Sequence, residues 1–276
     1  MSNGENPLSP EREMPAPVSE ERAAEFTGPG IQAGENPEWG IWEVVRIAVV
    51  AMIAIGLLST LALGLALRFA GPARPAPADL ARNARVMVPA QFAAYLVVIA
   101  YMVWLVRSRG RPYWTAIRWK WPHATWFGWM ALGVALALLV QSASALLPIP
   151  KSLPIDRYFR DVLGAYMMAA FGLTFAPLVE ELFFRGFLYP AVARRWGLAA
   201  GVVVTSALFA SIHASQLAHA WAPLLLLFFV GVVLTLVRAR TQSVATTFLI
   251  HVGYNGTLFG MLYLASDHFR HFERLS

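Results

Sequence analysis

Long stretches without a charged residue constrain this chain more than any other feature of its sequence. Uncharged runs of 21, 21 and 24 residues occupy positions 47–67, 86–106 and 124–147. A helix needs about 20 apolar residues to cross the ~30 Å hydrocarbon core of a bilayer. Because backbone polar groups within a bilayer must find partners inside their own segment, each run predicts a membrane-spanning helix.

The second half of the chain continues the pattern. A further uncharged run covers 162–179, and the segment 197–237 contains two histidines as its only ionisable residues. Pro223 predicts that this segment divides into two helices. A final apolar run covers 241–266. We therefore predict an all-α, polytopic membrane bundle of about seven transmembrane helices within residues 39–270.

Composition excludes the common soluble classes. Of the 276 residues, 58% are hydrophobic and 14% are charged, whereas soluble domains average about 45–50% and about 25%. The absence of cysteine excludes a disulfide framework, a thiol nucleophile and a thiolate metal site. Residues 1–38 differ from the rest, because they carry eight Glu and two Arg among many Pro and Gly. They are predicted to form a disordered acidic tail.

The net charge of +6 fits basic loops that set membrane topology better than a nucleic-acid partner. The segment 107–122 contains five Lys or Arg and no acidic residue. The positive-inside rule places this segment in the cytoplasm, and the amino terminus with it. We expect a multi-pass protein of the cell membrane, with the bilayer as a partner and no nucleic acid.

A pair of adjacent acidic residues interrupts the fourth run. Glu180 and Glu181 would point about 100° apart on a helix, so the two carboxylates are expected to have different roles. Glu181 and Arg185 are spaced i, i+4 in the order that favours an ion pair. Pro177, three residues before Glu180, predicts a kink that either frees a backbone carbonyl and opens a polar cavity or serves packing alone.

Two further polar pairs lie on later apolar helices. Phe209 and His213 are spaced i, i+4, as are His251 and Asn255, so each pair shares one helical face. Taken singly, each polar residue could be a hydrogen-bonded contact between helices. Ionisable residues at membrane depth are costly and usually face a cavity or a partner. We predict that these side chains converge with the glutamate pair on one buried site.

The three blocks, EExxxR, FxxxH and HxxxN in this order, resemble those of the CAAX protease and bacteriocin-processing (CPBP, or ABI) family. These intramembrane proteases are related to the type II CAAX prenyl endopeptidase, and the resemblance covers roughly residues 160–260. It implies hydrolysis of a peptide bond in a membrane-anchored polypeptide, which could be prenylated or carry a leader. It also implies the roles of the site residues: Glu180 as the base that activates water, Glu181 supported by Arg185, His213 and His251 completing the site, Asn255 stabilising the oxyanion, and Phe209 packing beside them.

Two chemistries fit these residues, and we favour the first because two His and a carboxylate form a known catalytic zinc set. In the first, His213, His251 and Glu181 bind Zn²⁺ with water in the fourth position, and Glu180 takes the proton of that water. In the second, no metal takes part, Glu180 and His213 activate the water, and His251 and Asn255 donate to the oxyanion. The notable alternatives to an enzyme are a membrane scaffold or immunity-type protein that binds a partner peptide, and a proton-coupled transporter.

Overall fold

The structure, a computed structural model, describes residues 39–71, 75–150, 152–159 and 161–272. These parts of the chain contain helices and no strand, which confirms the all-α prediction. The acidic tail predicted over 1–38 lies outside them. Six helices are long and apolar enough to cross a membrane: α1 (Ile41–Phe69), α2 (Ala84–Arg107), α3 (Trp126–Ser144), α4 (Val162–Ser211), α5 (Trp221–Thr241) and α6 (Val244–Ala265). The chain is therefore a multi-pass membrane protein.

Helix α4 consists of two limbs. A straight helix of its 50 residues would be about 75 Å long, far more than a bilayer requires. Gly197 breaks it with the non-helical angles φ 83° and ψ 171°. Beyond the break, Gly201 approaches Ala193 and Tyr189 closely, so the chain reverses direction. The described residues thus hold six long helices, or seven if the two limbs are counted separately, close to the number predicted.

Contacts between residues at each end of the bundle agree with successive helices that cross the membrane in alternating directions. One end, here called the basic end, is joined by an ion pair between Glu43 and Arg109 (2.9 Å), a hydrogen bond from Arg194 to the Trp39 carbonyl (2.9 Å), and one from the Val244 amide to the Arg118 carbonyl (3.0 Å). The opposite end is joined by the ion pair of Arg85 with Asp161 (2.6 Å) and a hydrogen bond from the Ile155 amide to the Gln216 carbonyl (3.2 Å).

Helices α3 and α6 touch through their backbones. A Cβ atom on Gly133 of α3 would overlap the carbonyl oxygen of Ile250, and one on Gly253 of α6 would overlap the carbonyl oxygen of Met130. Small residues allow such close approach between membrane helices, where van der Waals contact drives association. The two glycines therefore fix the position of α6, which carries His251.

The first limb of α4 is irregular around its glutamate pair. Two π-helical turns, Phe171–Phe175 and Leu182–Leu188, flank the short α-helical turn Ala176–Glu181. The Ala176 amide accordingly donates to the Phe171 carbonyl, five residues back. Wide turns of this kind often occur at functional sites. Pro177, at which the sequence predicts a kink, lies in the short α-helical turn between the two π-helical turns.

Candidate active site

A buried ion pair lies at the centre of the bundle. Arg185 Nη1 is 2.9 Å from Glu181 Oε1, and both side chains have no exposed surface. Arg185 also donates from Nη2 to the Gly231 carbonyl over 3.2 Å, and its Cζ lies 4.6 Å from the centroid of the Phe209 ring. Each charge alone is costly to bury in an apolar interior. The attraction between the two charges and the extra contacts of Arg185 offset the free-energy cost of removing the charges from water. The predicted i, i+4 contact is confirmed.

His251 lies between the two carboxylates. Its Nδ1 is 2.9 Å from Glu181 Oε1, and its Nε2 is 3.9 Å from Glu180 Oε2. An ionised carboxylate only accepts hydrogen bonds, so the proton at Nδ1 is donated to Glu181. This leaves Nε2 on the side of Glu180. That nitrogen either carries a second proton and is a hydrogen-bond donor, or has none and is an acceptor.

The two glutamates have different surroundings, as the sequence predicts. The Glu181 side chain is fully buried, whereas that of Glu180 is 12% exposed. Among the described residues, His251 Nε2 is the one basic nitrogen within 4 Å of the Glu180 carboxylate. Because 3.9 Å exceeds a hydrogen bond, His251 does not hold the Glu180 carboxylate in this arrangement.

The second limb of α4 contributes Phe209 and His213. The Phe209 ring centroid is 5.2 Å from that of His213 and 5.7 Å from that of His251, so the phenyl ring contacts both imidazoles. His213 Nδ1 is 2.9 Å from the Phe209 carbonyl oxygen. A carbonyl oxygen only accepts, which assigns the proton to Nδ1. Its Nε2 is thus the nitrogen left to act on a substrate or a water.

Asn255 follows His251 by one helical turn on α6. Its Nδ2 donates to the Gly172 carbonyl over 2.7 Å. Since only the nitrogen of the amide can donate, this bond sets which way the amide faces. One Nδ2–H and the oxygen Oδ1 remain for other partners. The predicted convergence is present in the contacts that link Glu180, Glu181, Arg185, Phe209, His213 and His251, with Asn255 one turn further along α6.

The predicted zinc ligands do not form a metal-binding set in this arrangement. Glu181 Oε1 is engaged by Arg185 and by His251 Nδ1, and its buried Oε2 has no hydrogen-bond partner among the described residues. Within those residues, no three His, Asp or Glu side chains are grouped to hold a metal ion. The donor set therefore does not fit a three-ligand zinc site, and zinc stays a prediction from the sequence.

Three parts of the site were missed by sequence reasoning. The Gly172 and Gly231 carbonyls accept from Asn255 and Arg185, but nothing in a sequence marks a single carbonyl as an acceptor. Tyr95 on α2 packs against the first limb of α4, where its ring centroid lies 5.6 Å from that of Phe171. It is one aromatic residue in a long apolar run, so no pattern distinguishes it.

The chain was compared with known proteins. Residues 162–257 match the family model described as "Type II CAAX prenyl endopeptidase Rce1-like". This part of the chain is similar to that family. It begins with the first residue of α4, ends two residues after Asn255, and so contains all three polar blocks, which confirms the resemblance seen in the sequence. No curated protein and no solved structure matches the chain.

The matched residues are thus similar to a CAAX-type intramembrane protease family over about a third of the chain. Helices α1, α2 and α3 lie before the matched residues, although α3 packs against α6 and the Tyr95 ring of α2 packs against Phe171 of α4. Helices outside the matched residues therefore contact the helices that carry the polar side chains.

Proposed function

We propose that the protein is an intramembrane endopeptidase that hydrolyses a peptide bond of a membrane-associated polypeptide, with water activated by Glu180. The observation that carries the proposal is the place of His251, held at Nδ1 by Glu181 and facing Glu180 with Nε2. Peptide hydrolysis needs a base for water, donors for the oxyanion and an acid for the leaving amine. These residues can supply all three in an apolar bundle.

Glu180 suits the base. Glu181 is committed to Arg185 and His251, and it has no exposed surface. The Glu180 side chain is partly exposed, and its carboxylate has no comparable hydrogen bond to Arg185 or His251. It accepts a proton from water as the oxygen attacks the carbonyl carbon, and later gives that proton to the departing amine. A carboxylate can perform both transfers because it is regenerated at the end of the cycle.

His251 and Asn255 suit the oxyanion. With protons on both nitrogens, His251 would balance the formal charges of the site, since one histidinium and one guanidinium face two carboxylates. A balanced set is the least costly one to bury. Its Nε2–H and the second Nδ2–H of Asn255 are then donors for the negative oxygen of the tetrahedral intermediate.

His213 supports the water. Its Nδ1 proton is held by the Phe209 carbonyl, which leaves the Nε2 lone pair as an acceptor. In the proposed mechanism this lone pair accepts a hydrogen bond from the attacking water and so orients it for Glu180. This arrangement is the metal-free alternative drawn from the sequence, and none of its steps uses a metal.

We further propose that the basic end faces the cytoplasm and that the protein lies in the cell membrane. The basic end gathers the segment 107–122, with its five Lys or Arg, together with Glu43 and Arg194. Cytoplasmic loops carry such an excess of basic residues. The amino terminus would then also be cytoplasmic.

Cleavage by purified protein in liposomes tests the proposal. Three fluorogenic substrates are compared: a prenylated CAAX-type peptide, the same peptide without the prenyl group, and a leader-containing precursor. We expect cleavage of at least one, and a loss of about 10²–10⁴-fold in kcat for Glu180→Gln, the range for removal of a general base. Glu43→Gln is the matched control, because Glu43 pairs with Arg109 at the basic end.

The outcomes separate the alternatives. Equal cleavage by wild type and Glu180→Gln would remove Glu180 from the chemistry. Retained peptide binding without any cleavage would favour a scaffold. The zinc mechanism would be favoured over the metal-free one if activity is lost on chelation and restored by Zn²⁺, and if His213→Ala has no activity.

A further inference from the structure

The Gly172 carbonyl is left unpaired by its own helix for two reasons. In an α-helix it would accept from the Ala176 amide, but that amide donates to the Phe171 carbonyl instead. In the π register that this bond establishes, the next donor would be residue 177. Residue 177 is proline, which has no N–H.

Asn255 satisfies this carbonyl. Its Nδ2 donates to Gly172 O over 2.7 Å, a contact between helices α4 and α6. A backbone carbonyl without a partner is costly at membrane depth, so the bond is favourable to both helices. A Cβ on Gly172 would meet the Phe259 ring, so glycine at 172 lets α6 approach this closely.

We infer that Pro177 is a positioning residue for Asn255, acting through the Gly172 carbonyl. By withholding an N–H, the proline keeps this acceptor available to the side chain of another helix. The bond then orients the Asn255 amide and presents its second N–H in a fixed direction. This inference rests on the proposed function for its effect on catalysis, but the structural link between Pro177 and Asn255 can be measured without it.

A new N–H at position 177 would compete with Asn255. In Pro177→Ala, the alanine amide becomes a second donor to Gly172 O along the helix, and it pulls the carbonyl toward the helix axis and out of line with the Asn255 amide. The same substitution removes a proline from a helix, which is not expected to weaken that helix. Reduced catalysis without reduced stability therefore distinguishes positioning from a packing kink.

Activity is measured for wild type, Pro177→Ala, Asn255→Ala and the double variant, with thermal stability measured alongside. We expect Pro177→Ala to lower kcat about 10-fold or more with KM within about 2-fold, against about 10²–10³-fold for loss of an oxyanion donor in Asn255→Ala. The double variant should match Asn255→Ala. Pro89→Ala, at an exposed proline inside α2, is the control and should retain wild-type kcat.

Two results would overturn the inference: an unchanged kcat in Pro177→Ala, or a loss in the double variant equal to the product of the two single losses. A measurement on wild-type protein covers the case in which Pro177→Ala does not fold. In ¹⁵N-asparagine-labelled protein, assigned with Asn255→Ala, the Asn255 side-chain amide should show one downfield, slowly exchanging proton. Two solvent-like protons would contradict the link, whatever the activity of Glu180→Gln.

Discussion

The Arg185 guanidinium lies 2.9 Å from the Glu181 carboxylate, and neither side chain reaches solvent or lipid. Because Glu181 also accepts from His251 Nδ1, this ion pair affects both the stability of the bundle and the position of His251 in the site. Four predictions follow from this and other contacts of the bundle.

Removal of one partner of the buried pair should be more damaging than removal of both. Arg185→Met leaves Glu181 with an uncompensated charge, which typically costs about 3–5 kcal/mol. The double variant Glu181→Leu with Arg185→Met removes the charge as well, so its free energy of unfolding should lie closer to wild type. Unfolding in mixed micelles measures both. Equal stability of the two variants would show that the pair is not energetically coupled.

The glycine contact between α3 and α6 should control activity from a distance. Gly253→Ala places a methyl group against the Met130 carbonyl and must push α6 outward, together with His251. A misplacement of about 1 Å can cost about 100-fold in rate, so we expect a loss of that order in kcat and a lower melting temperature.

Gly260→Ala is the matched control. Gly260 lies on the same helix as Gly253, and a Cβ there meets nothing within 4 Å. It should keep both kcat and melting temperature near wild type. A Gly253→Ala variant as active as Gly260→Ala would show that α6 can shift without effect on the site.

Stability should depend on Asp161 at acidic pH. Burial raises the pKa of Asp161, but the Gly164 amide and the Arg85 guanidinium outweigh it and hold the pKa below its ordinary value of 3.8. A depressed pKa in the folded state means that the stabilisation is present above the ordinary pKa and is lost as pH falls through the folded value.

The effect should be small, because the Arg85 and Asp161 side chains are 52% and 37% exposed and solvent screens such pairs. Asp161 also caps α4 by accepting from the Gly164 amide. Asp161→Ala should therefore cost about 0.5–2 kcal/mol near neutral pH, and the gap to wild type should narrow below the ordinary pKa. A gap that is constant from pH 7 to pH 3 would contradict the titration.

Orientation can be tested directly because the sequence contains no cysteine. Ser108 is exposed after α2 at the basic end, and Ser152 is exposed at the opposite end. With a membrane-impermeant maleimide on intact cells, Ser152→Cys should be labelled at once and Ser108→Cys only after permeabilisation. The reverse pattern would place the basic end outside.

The sequence by itself determined the class of fold and marked the candidate site residues. Uncharged runs longer than a bilayer is thick permit little besides spanning helices, and polar residues that are costly in such helices mark a site. Helical spacing also predicts the contact of Glu181 with Arg185, because residues four apart face each other whatever the rest of the chain does.

Only the tertiary structure decided how these residues are arranged. It places the His251 imidazole between Glu180 and Glu181, and among the described residues it does not group His213, His251 and Glu181 as a three-ligand metal set. It also pairs Asn255 with the Gly172 carbonyl. These contacts join residues 70 to 83 positions apart on different helices, and their geometry depends on glycine contacts and π turns that no local pattern encodes.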